Sequence, residues 1–123
     1  MLKMTQIKWE KNAQKEHYRA ALSYLSLIYK AAVAKDFVKK LKKTAVSQFK
    51  SRDIFRASML PMLEVTNSDV KKEESKIKSQ KRLRPLLLVR DRSQGKLVIA
   101  DGYHRLCAAY IFDEEAEIAC KIV

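Results

Sequence analysis

The 123-residue chain uses very little glycine, proline or cysteine, with two of each. So few Gly and Pro residues argue against a loop-rich or repeat-built protein. Cys107 and Cys120 form no Cys-x-x-Cys pair and have no zinc-type spacing with His17 or His104. We therefore expect two reduced, buried thiols, as in a cytoplasmic protein.

Long apolar runs are also missing. No run approaches the roughly 20 residues needed to cross a bilayer, and the first residues lack the apolar stretch of a signal peptide. These absences favour a cytoplasmic protein with no membrane partner. The sequence contains no P-loop, no His-Glu-x-x-His, no Gly-x-Ser-x-Gly and no dinucleotide-binding glycine motif, so none of those enzyme signatures applies.

Positive charge is abundant and unevenly distributed. The formal net charge is +12; residues 1–84 carry 21 Lys and Arg against 8 Asp and Glu, whereas residues 85–123 carry 5 against 6. A field of this sign attracts nucleic acid, anionic membrane and nucleotides. Because lysine dominates, the alternative is a merely solubilising surface, and charge alone supplies only sequence-independent binding.

The first third of the chain has a helical pattern. Apolar residues recur at three- and four-residue steps over 12–43, with a break expected near 29–31. Residues 1–11 are expected to form a loosely attached arm, in which Trp9 either covers the core or anchors a partner. The length and the 47% hydrophobic content suit one domain with its own core.

The remaining sequence alternates short strands and helices. The expected elements are a strand over 45–51, a helical turn capped by Asp53, a loop over 60–65, a charged helix over 69–80, strands over 85–90 and 96–100, a helix over 102–112 and a closing strand over 116–123. Asn67 or Ser68 is the expected N-cap of the charged helix. The pattern predicts an α+β fold, in which residues 1–43 form a helical extension packed on a 44–123 domain.

The motif Asp101-Gly102-Tyr103-His104-Arg105 lies where a predicted strand ends and a helix begins. Gly102 lets the chain turn sharply, and the first N–H groups of a helix have no partners within it. Those donors and the positive end of the helix dipole favour an anion, and His104 and Arg105 add two side chains that can hold phosphate oxygens. Alternatively, Arg105 pairs with a nearby carboxylate and His104 is an ordinary surface histidine.

Residues 84–123 resemble the core of the ParB/sulfiredoxin-like superfamily, and the likeness extends back to about Asn67. Sulfiredoxins carry a redox cysteine where this chain has Tyr103, so the resemblance does not imply sulfinic acid repair. ParB partition proteins carry Gly-Glu-Arg-Arg and bind a cytidine nucleotide, and only Gly102 and Arg105 match that motif. Free-serine kinases carry Asp-Gly-His-His-Arg, which this chain matches at every position except Tyr103.

This resemblance implies a nucleoside di- or triphosphate, with or without Mg²⁺. The residues that would bind it are Gly102, Tyr103, His104, Arg105 and Asn67. Tyr103 could instead be a partly buried aromatic residue, and Asn67 could simply cap its helix. Asp101 could orient a hydroxyl, hold Mg²⁺ or accept a proton, or could cap the helix that follows it. By the same resemblance Glu64 is the candidate general base, with a surface ion pair as its alternative.

Two functions are therefore expected as alternatives. The first is a nucleotide-binding ParB-like domain, either a phosphotransferase or nucleotide hydrolase using ATP, ADP or CTP, or a binding domain without turnover. The second is a DNA- or RNA-binding module that uses the basic first two-thirds of the chain without catalysis.

Overall fold

The computed structural model describes residues 6–63 and 66–123, and it confirms the α+β class. The elements in chain order are β1 (Lys8–Trp9), α1 (Lys15–Ile28), α2 (Ala31–Lys43), β2 (Ser47–Lys50), α3 (Ser51–Ser58), α4 (Ser68–Lys78), β3 (Arg82–Leu83), β4 (Leu86–Asp91), β5 (Lys96–Asp101), α5 (Tyr103–Phe112) and β6 (Glu117–Ile122). The break between the first two helices lies within the predicted segment. None of the helices in the described ranges combines the length and apolar character needed to span a membrane.

The main sheet has four strands in the order β2-β6-β4-β5. The β4–β5 hairpin is antiparallel, with Leu87 opposite Asp101 near one end and Asp91 opposite Lys96 at the other. β6 lies between β4 and β2, parallel to the former and antiparallel to the latter. The Asp101-Gly102 junction and the hairpin turn therefore lie at opposite ends of the sheet.

Both faces of the sheet are buried, because successive residues of a strand point to opposite sides. Leu86 and Leu88 of β4 belong to one apolar cluster with residues of α3, α4 and α5. Leu87 and Val89 belong to a second cluster with residues of α1 and α2. Burial on both sides explains why β4 is a continuous apolar run rather than an alternating one.

The prediction of a loosely attached arm is wrong for the residues of it that the structure describes. Trp9 pairs with Leu83 in a short parallel ladder, and the N–H of Glu10 donates to the Leu83 carbonyl at 2.7 Å. The Trp9 ring packs against the first apolar cluster, so this side chain covers the core. Backbone pairing and ring burial together attach the segment.

The prediction that Asp53 caps a helix is also wrong. α3 begins at Ser51, with Lys50 as the N-cap and Asp53 inside the first turn. The N–H groups of Ser51 and Arg52 donate to the carbonyls of residues 116 and 114, and the Ser51 hydroxyl donates to the carbonyls of residues 113 and 114. Because the loop before β6 satisfies these donors, the helix needs no side-chain cap.

Lys121 is a buried charge that the sequence pattern did not indicate. Its side chain points to the second cluster, and its Nζ donates to the Lys42 carbonyl at 3.2 Å, at the C-terminal end of α2. The ammonium also lies 5.7 Å from the centre of the Tyr18 ring. The negative end of the helix dipole and the aromatic face compensate a charge that would otherwise be costly to bury.

Candidate functional site

Gly102 builds the junction between β5 and α5. Its φ of 111° lies in a region that residues with a Cβ rarely adopt. A Cβ at this position would lie 2.7 Å from Leu86 Cγ and 2.9 Å from Arg105 Nη2. Glycine is therefore required both by the turn and by the close approach of β4 and Arg105.

Asp101 and Arg105 form an ion pair across this turn. Arg105 Nη2 lies 2.8 Å from Asp101 Oδ2, and the two side chains are 12% and 15% exposed. Nη2 also lies 3.4 Å from the Pro85 carbonyl oxygen. The pairing of Arg105 with a carboxylate, considered above as an alternative, is what the structure shows. The helix-capping role for Asp101 is wrong, because Gly102 occupies the N-cap and the carboxylate faces the guanidinium instead.

The Nε and Nη1 donors of Arg105 have no partner among the described residues. Nε is buried and unpaired, and Nη1 makes no hydrogen bond within residues 6–63 and 66–123. A guanidinium carries five N–H donors, and the contacts of Nη2 account for two of them. Arg105 is therefore held in place by Asp101 while it keeps donors for a further acceptor.

His104 and Tyr103 differ in how tightly they are held. His104 is half exposed, with Nε2 3.8 Å from Asp69 Oδ2. Tyr103 packs against the first apolar cluster, and its hydroxyl donates to the Pro61 carbonyl. Burial raises the pKa of Tyr103. Tyr103 is thus a partly buried aromatic residue, whereas His104 is free to turn toward a ligand.

Asn67 caps α4, as predicted. Its Oδ1 accepts hydrogen bonds from the backbone N–H groups of Asp69 and Val70 at 3.0 and 3.1 Å. This contact occupies the oxygen, so any contact of Asn67 with a nucleotide would have to use the amide nitrogen. Glu64, the candidate base, lies outside the described residues.

Two cavities meet at Arg105. The α5 cavity, of about 190 Å³, is lined by Asp69, Lys72, Glu73, Asp101, Gly102, Tyr103, His104 and Arg105. The α1 cavity, of about 320 Å³, is lined by Gln14, Glu16, His17, Glu73, Lys76, Lys81, Arg82, Leu83, Arg84 and Arg105. Arg105 and Glu73 belong to both walls, so the guanidinium stands between two open spaces.

The two cavities differ in charge. The α5 cavity has three carboxylates opposite Lys72, Arg105 and His104, whereas the α1 cavity has five Lys and Arg side chains and two carboxylates. Arg84 and Arg82 donate to the carbonyls of Asn12 and Trp9 at 3.1 and 3.3 Å. Backbone oxygens position these two guanidinium groups without neutralising them. The α1 cavity therefore attracts anions.

His17, to which the sequence pattern assigned no role, lines the α1 cavity. Its Nδ1 accepts a hydrogen bond from the N–H of Gln14 at 3.0 Å. Burial lowers the pKa of His17, and the positive charge of Arg105 lowers it further, while Asp101 and Glu16 act in the opposite direction. The charge of Arg105 thus acts directly on the protonation of His17.

Lys81 and Arg84 were likewise not singled out as site residues. They belong to the basic series within 71–84, which is also typical of a solvated surface. This series ends just before β4, which pairs with the strand that leads to Asp101. Their convergence on Arg105 depends on how α1, α4 and β3 pack together.

No group of three or more His, Cys, Asp or Glu side chains suited to a metal ion occurs in the described ranges. Asp101 is oriented toward Arg105 rather than toward another carboxylate. Mg²⁺ commonly binds through one or two carboxylates together with substrate phosphates and water.

Comparison with protein-family models, with curated proteins and with solved structures found no match to this chain. The resemblance to the ParB/sulfiredoxin-like superfamily accordingly stays a prediction.

Proposed function

We propose that the protein binds a nucleoside di- or triphosphate at the N-terminal end of α5. The observation that carries this proposal is the position of Arg105, whose guanidinium is part of the walls of two cavities and keeps unpaired donors. A fixed guanidinium with free N–H groups is well suited to phosphate oxygens.

The geometry suggests how the phosphates would lie. One phosphate would accept hydrogen bonds from the first-turn N–H groups of α5, which have no acceptor within the helix. His104 would reach this phosphate from the α5 cavity. The neighbouring phosphate would lie on the other side of Arg105, where Lys81 and Arg84 supply positive charge. The ion pair with Asp101 restricts Arg105, so less ordering is needed on binding.

Asp101 acts in this proposal as a positioning residue. Its carboxylate already binds the guanidinium, so it is not available as a base while that ion pair persists. Phosphoryl transfer relies mostly on positioning and charge neutralisation, which this site can supply. Turnover would require a base from elsewhere, for which Glu64 remains the candidate.

Calorimetry with ADP, ATP and CTP, each with and without Mg²⁺, tests the proposal. Losing a charged hydrogen-bond donor costs about 1.5–3 kcal/mol, so replacing Lys81 and Arg84 together with Gln should weaken binding at least tenfold. The matched control replaces Lys35 and Lys39 of α2 with Gln, which removes the same charge at two positions that line neither cavity. Absence of heat for every nucleotide, or equal losses in both double variants, would refute the proposal.

NMR titration of His17 provides a test that does not depend on turnover. The positive charge of Arg105 contributes to the lowered pKa of His17. A bound phosphate would offset that charge, so saturating ADP should move the pKa upward. Nucleotide binding without any change at His17 would place the ligand outside the α1 cavity.

Nucleic-acid binding is the second candidate, and the exposed face of α2 favours it. Lys40 pairs with Asp36 at 3.1 Å, whereas Lys35, Lys39 and Lys43 have no carboxylate partner in the described part of the chain. Binding of DNA or RNA should weaken steeply with salt. Here the Lys35 and Lys39 double variant should lose affinity and the Lys81 and Arg84 variant should lose less. Fluorescence anisotropy at two salt concentrations separates the two candidates.

A further inference from the structure

A groove separate from the two cavities at Arg105 lies between α3 and the β4–β5 hairpin. This groove has a volume of about 400 Å³ and an apolar floor formed by Ile54, Leu88, Leu97 and Ile122. The volume falls within the range of about 300–1,000 Å³ in which small-molecule sites are found. On the hairpin the groove is lined from Leu88 to the turn, whereas Asp101 ends β5 at the other end of the sheet.

Three positively charged side chains lie at the end of the apolar floor. Arg90 follows Leu88 on the same face of β4 and is paired in register with Leu97, so its side chain continues the row that lines the groove. Arg92 and Lys96 stand at the hairpin turn beside it. None of these three side chains makes a hydrogen bond or ion pair within the described ranges.

Two carboxylates also line the groove, but within the described ranges neither forms an ion pair with Arg90, Arg92 or Lys96. Asp91 Oδ2 accepts from the Tyr29 hydroxyl at 3.0 Å, and Oδ1 accepts from the Ser93 hydroxyl and the Gln94 N–H. Asp53 lies 4.0 Å from Arg52 Nε, its one ion-pair partner in the parts of the chain described. The groove thus combines an apolar floor with cations that lack partners.

We propose that this groove binds a small carboxylate with an apolar body, such as a medium-chain acyl or aryl carboxylate. The body would lie on Ile54, Leu88 and Leu97, and the carboxylate would bind the Arg90 guanidinium. A planar guanidinium matches the two oxygens of a carboxylate. This inference does not rest on nucleotide binding, since the two sites share no residue.

Calorimetry with octanoate on the full chain tests whether the groove binds such a carboxylate. Octylammonium, which has the same chain length and the opposite charge, is the comparison probe. Octanoate should bind in a 1:1 ratio, and octylammonium should bind at least tenfold more weakly. Arg90→Gln should weaken octanoate binding about tenfold, since it removes one charge-assisted contact. Arg19→Gln, an exposed change on α1, is the matched control and should leave binding unchanged.

Filling the groove gives an independent test. Ala57 is an exposed residue of α3 that lines the groove, so Ala57→Trp should occupy the floor and abolish octanoate binding without disturbing the core. Ala32→Trp on the exposed side of α2 is the control. Equal binding of both probes, or unchanged binding by the Ala57 variant, would overturn the proposal. Binding of a peptide with an apolar C-terminus but not of octanoate would also overturn it.

Discussion

Replacement of Gly102 with Ala is the most direct test of the junction on which the proposed nucleotide site depends. The added Cβ would lie 2.7 Å from Cγ of the buried Leu86 and 2.9 Å from Arg105 Nη2. Either Leu86 must move within the core, or the guanidinium must leave its place beside Asp101. The variant should therefore lose both stability and the preformed geometry of Arg105.

The expected loss of stability follows from two costs and one smaller gain. A residue with a Cβ held at a φ of 111° costs about 1–3 kcal/mol, and overpacking against a buried leucine costs about 1–3 kcal/mol more. Reduced freedom of the unfolded chain returns about 0.4–1 kcal/mol. The net loss should be about 2–5 kcal/mol, a large fraction of the stability of about 5–15 kcal/mol that is usual for a domain.

Gly95 provides the matched control. It also has a positive φ, of 63°, but a Cβ there would meet nothing within 4 Å. Gly95→Ala should therefore cost only about 1 kcal/mol, from the left-handed backbone alone. With a urea m-value of about 2 kcal/mol per M, the unfolding midpoint should fall by about 1–2.5 M for Gly102→Ala and by about 0.5 M for Gly95→Ala. Equal midpoints in the two variants would refute the argument for close approach.

Three further predictions concern titratable side chains. Tyr29→Phe should lower the free energy of unfolding by about 0.5–1.5 kcal/mol, because it removes the hydrogen bond to Asp91. Burial raises the pKa of Tyr29 to about 12, so the transition of this tyrosine should be missing from an alkaline absorbance titration of the variant. The lowered pKa of His17 favours its neutral form in the folded protein. The contribution of His17 to the free energy of unfolding should therefore be complete above about pH 6.5 and decline below that pH. Urea unfolding of the wild type and of His17→Gln across this pH range measures the decline. Burial raises the pKa of the Cys107 thiol, and it raises the pKa of the Cys120 thiol to about 11. Neither thiol should therefore react with Ellman's reagent at pH 7 until urea unfolds the chain.

Each of these predictions has a specific control or contrary result. Tyr24 is exposed, and Tyr24→Phe should leave the free energy of unfolding unchanged. His104→Gln should retain the acid-side decline, and an equal decline in the His17 variant would contradict the role given to burial and to Arg105. Rapid labelling of either cysteine in the folded protein would show that its helix or strand opens more readily than its burial implies.

Local features of this protein could be predicted because their causes lie within a few residues. Asn67 caps α4 by accepting from two N–H groups just beyond it, and the apolar run of β4 reflects burial on both faces. The turn at Gly102 was likewise expected from a strand and a helix meeting at a glycine. What the sequence alone could not provide was the partner of each polar group. For Asp101 the sequence left capping of α5, Mg²⁺ binding and proton transfer open, whereas the structure pairs its carboxylate with Arg105.

The sequence by itself determined the α+β class, the order of the main elements, the two buried thiols and the position of the motif over residues 101–105 between a strand and a helix, since hydrophobic periodicity and capping act over short distances. Only the tertiary structure decided that the segment around Trp9 joins β3, that Lys121 is buried at the end of α2, and that His17 faces Arg105 from the other end of the chain. These contacts join residues far apart in sequence, and they form because packing of α1 and α2 on the sheet fixes where each side chain lies.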